Sequence, residues 1–185
     1  MSKVSRSILS ISVVTLLVIA ILGVSYAFFT ANLSGNETAS TLIVTGGRMQ
    51  IAFSGGNSIE INNVYPRDDA WTTKTFTVKG TNTTDANMNY KLTLVVEENS
   101  FSDDALSFSL TSYNSGNNGS PVSSIANRTI KSGASNIELG NGHFVNANEK
   151  IHTYGLSIFF FSTSANQNND QNKYFSSHVE IEGVQ

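Results

Sequence analysis

The chain has 185 residues, two prolines, no cysteine and 14% charged residues, which fits one secreted or surface domain and argues against a multidomain enzyme or a disulfide-stapled miniprotein. Eleven Lys and Arg against fourteen Asp and Glu give a net charge of −3, and the basic residues are scattered, so the electrostatic footprint of a nucleic-acid binder is missing. Gly, Ser, Thr and Asn abound while Glu, Lys and Ala are scarce after the first thirty positions, a balance that favours strands over solvent-facing helices.

The first predicted element is an export signal over residues 1–27. Lys3 and Arg6 precede an apolar run over residues 8–24, and Ser25-Tyr26-Ala27 then sets small residues at the −3 and −1 positions of a cut between Ala27 and Phe28. At 17 residues the run also reaches the lower limit for a membrane-spanning helix, so a retained anchor stays open beside cleavage. A pilin-type cut near Ser7, which would keep the run as an assembly helix, is a third reading. Both basic residues would face the cytoplasm whichever holds. Cleavage would leave nine basic and fourteen acidic residues, a charge of −5 on residues 28–185. The location expected is extracellular or at the cell surface, with signal peptidase met during export and membrane contact only through the apolar run.

Residues 28–40 form a short polar stretch punctuated by Phe28, Phe29 and Leu33. Such a segment is too polar to fold alone, and as an extended piece it could add to another subunit's sheet edge, with those three side chains as anchors. Its other reading is a flexible tether between membrane and domain.

Residues 41–185 are predicted to form a single antiparallel β-sandwich, jelly-roll-like, because apolar side chains recur there with period two and not 3.6. The runs in chain order are 48–53 (Met49, Ile51, Phe53), 58–64 (Ile59, Ile61), 72–79 (Phe76, Val78), 90–96 (Tyr90, Leu92, Leu94, Val96), 106–110 (Leu106, Phe108, Leu110), 154–161 and 174–181. The core expected comprises Ile51, Phe53, Phe76, Val78, Leu92, Leu94, Phe108, Leu110, Ile158, Phe160, Val179 and Ile181. Ile158-Phe159-Phe160-Phe161 is apolar on both faces and should be a central or covered strand. Turns are expected at Gly46-Gly47, Gly55-Gly56-Asn57, Asn82-Thr83-Thr84-Asp85, Asn117-Asn118-Gly119 and Asn141-Gly142. The polar stretch 114–135 reads as a surface excursion, and the loop 164–172 as the turn of a hairpin joining the last two strands.

Chemistry is sparse. His143, His152 and His178 show no metal-ligand spacing and no zinc-protease signature, and there is neither a cysteine nucleophile nor a Gly-x-Ser-x-Gly elbow. No cofactor, no metal and no catalytic centre are expected. The pairs Asp68-Asp69, Glu97-Glu98 and Asp103-Asp104 lack the alternating spacing of a calcium loop and read as solvated turns, with carboxylates flanking a calcium ion as the alternative. Trp71, the only tryptophan, follows the turn Tyr65-Pro66-Arg67-Asp68-Asp69 and is read as packing at a strand start, with ligand stacking as its alternative. Asn-x-Ser/Thr triplets at Asn32, Asn36, Asn82, Asn118 and Asn127 arise by chance in so Asn- and Thr-rich a chain.

The order of features resembles the camelysin/TasA family of exported bacterial surface and biofilm-fibre proteins. The signal ends Ser25-Tyr26-Ala27-Phe28-Phe29; Thr45-Gly46-Gly47-Arg48-Met49-Gln50-Ile51 is similar to the family's Gly-x-Leu-x-Leu opening strand. Val64-Tyr65-Pro66-Arg67-Asp68 is similar to its Leu-x-Pro-Gly-Asp turn, and Thr75-Phe76-Thr77-Val78-Lys79-Gly80-Thr81-Asn82 to its Phe-x-Val-x-Asn strand. Arg67 stands where Gly is usual, and Gly80 where Asn is usual. The resemblance implies a jelly-roll sandwich, exported and often polymeric, with no catalytic centre in the fibre-forming members. The function expected is a self-associating structural subunit of a fibre or biofilm matrix whose partner is itself; the alternative is an anchored or secreted monomeric adhesion module.

Overall fold

Alternation of buried and exposed side chains along extended chain is what a two-layer β structure requires, and the computed structural model shows it in strand after strand. It describes residues 40–42, 49–82, 88–113, 119–145 and 147–184, all within one compact unit, Leu33–Gln185. The strands are β1 (Ser40–Leu42), β2 (Met49–Ser54), β3 (Ile59–Asn62), β4 (Thr72–Asn82), β5 (Met88–Asn99), β6 (Leu106–Tyr113), β7 (Gly119–Ser120), β8 (Ile125–Ile130), β9 (Ser135–Phe144), β10 (Ala147–Phe159) and β11 (Tyr174–Val184). The signal 1–27, the segment 28–39 and the Gly46-Gly47 turn lie outside the described residues. β1 straddles the expected boundary at residue 40.

The strands form a six-stranded sheet, β1-β2-β4-β10-β6-β8, and a five-stranded sheet, β3-β11-β5-β9-β7, and every pairing is antiparallel. Four pairings are nested: β6 with β8, β5 with β9, β4 with β10, and β3 with β11. The chain is thus one long hairpin, with arms β3–β6 and β8–β11, rolled so that its ladders alternate between sheets. That is a jelly roll, an all-β sandwich, to which β1 and β2 add at one edge and β7 at another.

Between the sheets lies one hydrophobic core. Ten of the twelve expected core residues are buried: Phe76, Val78, Leu92, Leu94, Phe108, Leu110, Ile158, Phe160, Val179 and Ile181. The side chains of Ile51 and Phe53 fall outside the described residues. β10 is central, between β4 and β6, as its doubly apolar end requires: Ile158 and Phe160 point inward, while Phe159 and Phe161 stack on each other at 4.9 Å on the outer side.

Three expectations need correction. Asn141-Gly142 is no turn, since both residues lie within β9, where Gly142 pairs with Tyr90. A Cβ at Gly142 would stand 2.5 Å from the Tyr90 ring, so glycine here leaves space for an aromatic neighbour. Gly140, at φ 131°, sits where β9 carries an extra residue against Leu92 and Thr93, a bulge that only glycine enters without strain. The stretch 114–135 is not wholly an excursion either, because it contains β7 and β8. β8 is an edge strand that buries only Ile130 fully, so it carries no period-two signature. Finally, loop 164–172 is not a hairpin turn: β10 and β11 belong to different sheets. Phe160 and Phe175, both buried, draw the chain across the end of the sandwich.

Leu94→Ala is expected to lower unfolding free energy by about 2–5 kcal/mol, from lost burial plus a cavity. Gly142→Ala should cost about 1–3 kcal/mol, because the buried Tyr90 ring has nowhere to swing. Denaturant melts measure both, and a change below ~0.5 kcal/mol, the range of ordinary surface substitutions, would contradict the placement.

Candidate functional site

The expected cleavage and assembly residues, Ala27, Phe28, Phe29 and Leu33, lie outside the described residues. The three histidines occupy separate strands. His178, on the outer side of β11, has Nδ1 3.0 Å from Glu97 and Nε2 3.2 Å from Glu180. Among the described residues no group of three or more His, Asp or Glu side chains is arranged to hold a metal ion. Glu97-Glu98, expected as a turn, lies within β5, whereas Asp103-Asp104 ties loops together: Asp103 accepts from the Ser132 N–H at 2.8 Å, and Asp104 meets the Lys131 ammonium at 2.8 Å. That ammonium, with the Thr129 hydroxyl second, holds the Asp104 carboxyl below the usual carboxylate range, while Asp104 raises Lys131.

His152 turns inward to a buried polar cluster that its sequence context does not announce. Its Nδ1 lies 2.5 Å from the Tyr90 hydroxyl, which also bonds the Tyr154 hydroxyl, and Tyr154 accepts from the Val122 N–H at 2.9 Å. Phe144 stacks on His152 at 4.2 Å, and Phe76 on Tyr154 at 5.1 Å. The period-two pattern marks Tyr90 and Tyr154 as core, but nothing in it says that their hydroxyls meet. Burial pushes both phenols above the ordinary tyrosine range, and the cluster holds polar atoms in the core by pairing them with one another.

Trp71 proves to be a packing residue. The Arg67 guanidinium lies 3.9 Å over its ring, the Tyr65 ring meets it edge-on at 5.1 Å, and its indole N–H donates to the Tyr65 carbonyl at 3.0 Å. The turn is pinned to β10 through Arg67 N–H to Phe160 O and Trp71 N–H to Ile158 O. Arg67 therefore has a local cause, a cation over an aromatic face. Gly80 likewise stands where a Cβ would collide with the Phe144 ring.

At this same end of the sandwich, two clefts flank the loop after β10. The larger, about 210 Å³, is lined by Asp104, Ala105, Ser107, Asn127, Thr129, Phe161, Thr163 and Gln167. The smaller, about 110 Å³, lies between Val64, Tyr65, Pro66 and Phe160 on one side and the turn at Gln167, Asn168, Asp170 and Gln171 on the other. Gln167 lines both and holds the loop shut: its Oε1 accepts from the Thr163 N–H at 3.0 Å, and its Nε2 donates to the Phe161 carbonyl at 2.9 Å. Buried Asp170 accepts from the Ser102 N–H at 2.7 Å, fastening the loop to the neighbouring turn. Residues so far apart in sequence form no motif, which is why sequence reasoning missed them.

No family model matches the sequence, and no curated protein matches it either. Among solved structures, the chain aligns with the CBM22-1 and GH10 modules of Clostridium thermocellum endo-1,4-β-D-xylanase 10B complexed with xylohexaose, at 12% identity and a TM-score of 0.28. The alignment covers 83% of this chain and 29% of that one, so the chain spans less than a third of that structure. So loose a superposition carries no functional argument.

Because burial disfavours the phenolates, Tyr90 and Tyr154 should keep their protons as pH rises past the unfolded tyrosine value of about 10. The unfolded chain releases protons there and the folded one does not, so stability is full below that pH and falls above it. Spectrophotometric titration should show Tyr90 and Tyr154 ionising only with alkaline unfolding. Ionisation of both in the folded protein near pH 10 would contradict the buried cluster.

Proposed function

We propose that the protein is an exported, self-associating structural subunit of an extracellular fibre or matrix, with no catalytic role. Its sandwich receives the segment around Phe28, Phe29 and Leu33 from a neighbouring copy as an added strand. The observation that carries this reading is the flank where β8 and β9 meet. Among the described residues, β8 pairs only with β6. Along β9, β7 covers only His143 and Phe144 and leaves Ser135 to Asn141 paired on one side.

Open N–H and C=O groups on a sheet edge are a template for another strand, and natural monomers usually blunt them with proline, charge or cover. β8 contains no proline and one charged residue, Arg128, which is committed to the Glu138 carbonyl of β9 at 3.3 Å. The jelly-roll topology and the resemblance to the camelysin/TasA family support the same reading. So do the small residues before Phe28, which suit removal of the signal.

N-terminal sequencing of exported material should give Phe28 as its first residue, whereas an intact 185-residue chain in the membrane fraction would favour the anchored monomeric adhesion module. Deleting residues 28–34 should leave a folded monomer and abolish long assemblies in electron micrographs. Fibres of unchanged yield and morphology from the shortened protein would move assembly to the sandwich surface.

A further inference from the structure

The two outer faces of the sandwich differ in kind. That of the five-stranded sheet carries Glu60, Lys91, Glu97, Glu138, Glu180 and Glu182, in part joined by ion pairs such as Lys91 with Glu182 at 2.7 Å. That of the six-stranded sheet is set by register into uncharged rows: Thr73, Ser157 and Ser109; then Thr75, Gly155 and Thr111; then Thr77, Thr153 and Tyr113. The charged pair Lys79 and Glu149 appears only beyond the last row. The larger cleft opens at the opposite end of the same rows, beside Ser107 and Thr129, which pair across β6 and β8.

The lining of that cleft defines what it can hold. An anion needs a free cation, but the nearby Lys131 ammonium is occupied by Asp104. A cation needs free carboxylates, but Asp104 is already engaged by Lys131 and Thr129. A purely apolar ligand would cover polar groups that are only partly paired, Ser107 Oγ with Asn127 Oδ1 at 3.3 Å, Thr129 with Asp104, and Thr163 Oγ1 with the Ala165 N–H at 3.3 Å. What remains is a neutral ring that is apolar on its face and hydroxylated at its rim. Phe161, its ring held against Phe159, supplies the apolar surface, and the four side chains supply neutral donors and acceptors. A few convergent polar groups beside an aromatic is the usual composition of a ligand site. At about 210 Å³ the cleft is smaller than the ~300–1,000 Å³ of sites for whole drug-sized ligands, so it would take one unit of a longer molecule.

We propose that this cleft and the uncharged face running from it form a binding site for a neutral polysaccharide chain, one sugar ring seated on Phe161 and the rest of the chain lying along the hydroxyl rows towards Tyr113. From Ser107 to Tyr113 the face extends roughly 20 Å at the rise of a strand, several sugar rings in length. Tyr113, 58% exposed, is the second aromatic surface: a Cβ at Gly155 would lie 3.7 Å from its ring, so the ring rests beside Gly155 in the middle of the rows. The loop wall needs no ordering on binding, because Gln167 already fixes it from both ends of its amide.

Affinity electrophoresis of the exported protein through gels containing soluble glucan, mannan or galactan, with polygalacturonate as the acidic comparison, tests the site. At least one neutral polymer should retard the protein, and polygalacturonate should not. Phe161→Ala and Tyr113→Ala should each reduce the retardation at least fivefold, while Lys91→Ala on the opposite face leaves it unchanged. Tyr113 is exposed, so its variant reads binding even if Phe161→Ala fails to fold. Absence of retardation by every neutral polymer, retardation by polygalacturonate alone, or retardation indifferent to Tyr113→Ala would overturn the proposal. The protein lacking residues 28–34 should still be retarded, which separates this site from the assembly reading: loss of fibres with binding retained leaves the site standing.

Discussion

The Tyr90 hydroxyl is the point on which the two layers depend. It leaves β5 in one sheet, crosses the interior, and meets His152 and Tyr154 of β10 in the other. Tyr154 then takes the Val122 N–H, so the connection into β8 is tied to the same cluster. A core tolerates two phenol hydroxyls only when they are paired, because a buried polar group left without a partner costs about 1–3 kcal/mol. This demand fixes more than the cluster. The ring that carries the hydroxyl needs Gly142 opposite it, and Phe144, two residues on, stacks on both Tyr90 and His152. Phe144 in turn requires Gly80 on β4. One polar contact at the centre thus accounts for glycines on strands of both sheets.

That chain of requirements explains which parts of the fold can be read from sequence. β5 and the inward side of β10 were legible because their neighbours are ordinary apolar residues, and alternation then survives intact. β9 was hidden: its Gly140-Asn141-Gly142 has the composition of a turn, and only the Tyr90 ring across the ladder reveals why glycine belongs inside a strand. β8 was hidden for the opposite reason, since an edge strand exposed along most of its length has no buried face to write a pattern. The crossing after β10 was misread as a hairpin because local sequence marks the bend but not the sheet to which the next strand goes. The clefts were invisible, being assembled from residues near 105, 128 and 165 that only the folding of the roll brings together.

The sandwich also divides its surface by chemistry. Its five-stranded side carries carboxylates, partly neutralised by Lys91 and contacted by His178, and will be strongly hydrated. The six-stranded side presents hydroxyls and a few aromatic rings with little charge among them. Two copies meeting through their acidic faces would repel, whereas the hydroxyl faces and the flank at β8 carry no such penalty. Any contact between copies is therefore steered away from the five-stranded face.

The nesting of the roll has a kinetic consequence as well. Its outermost ladder joins β3 to β11 across separations of 112 to 118 residues, and the next, β4 with β10, spans 65 to 86. Contacts this remote demand large loop closures before they repay anything, which places such topologies among the slow folders. A chain emerging from its N-terminus can lay β2 against β4 early, but β5 must wait for β9 and β11. Only when Tyr174–Val184 arrives can β11 slot between β3 and β5 and close the five-stranded sheet. Until that moment the apolar sides of both sheets stand open to solvent, so the interval between emergence and closure is when the chain is most exposed to aggregation and proteolysis.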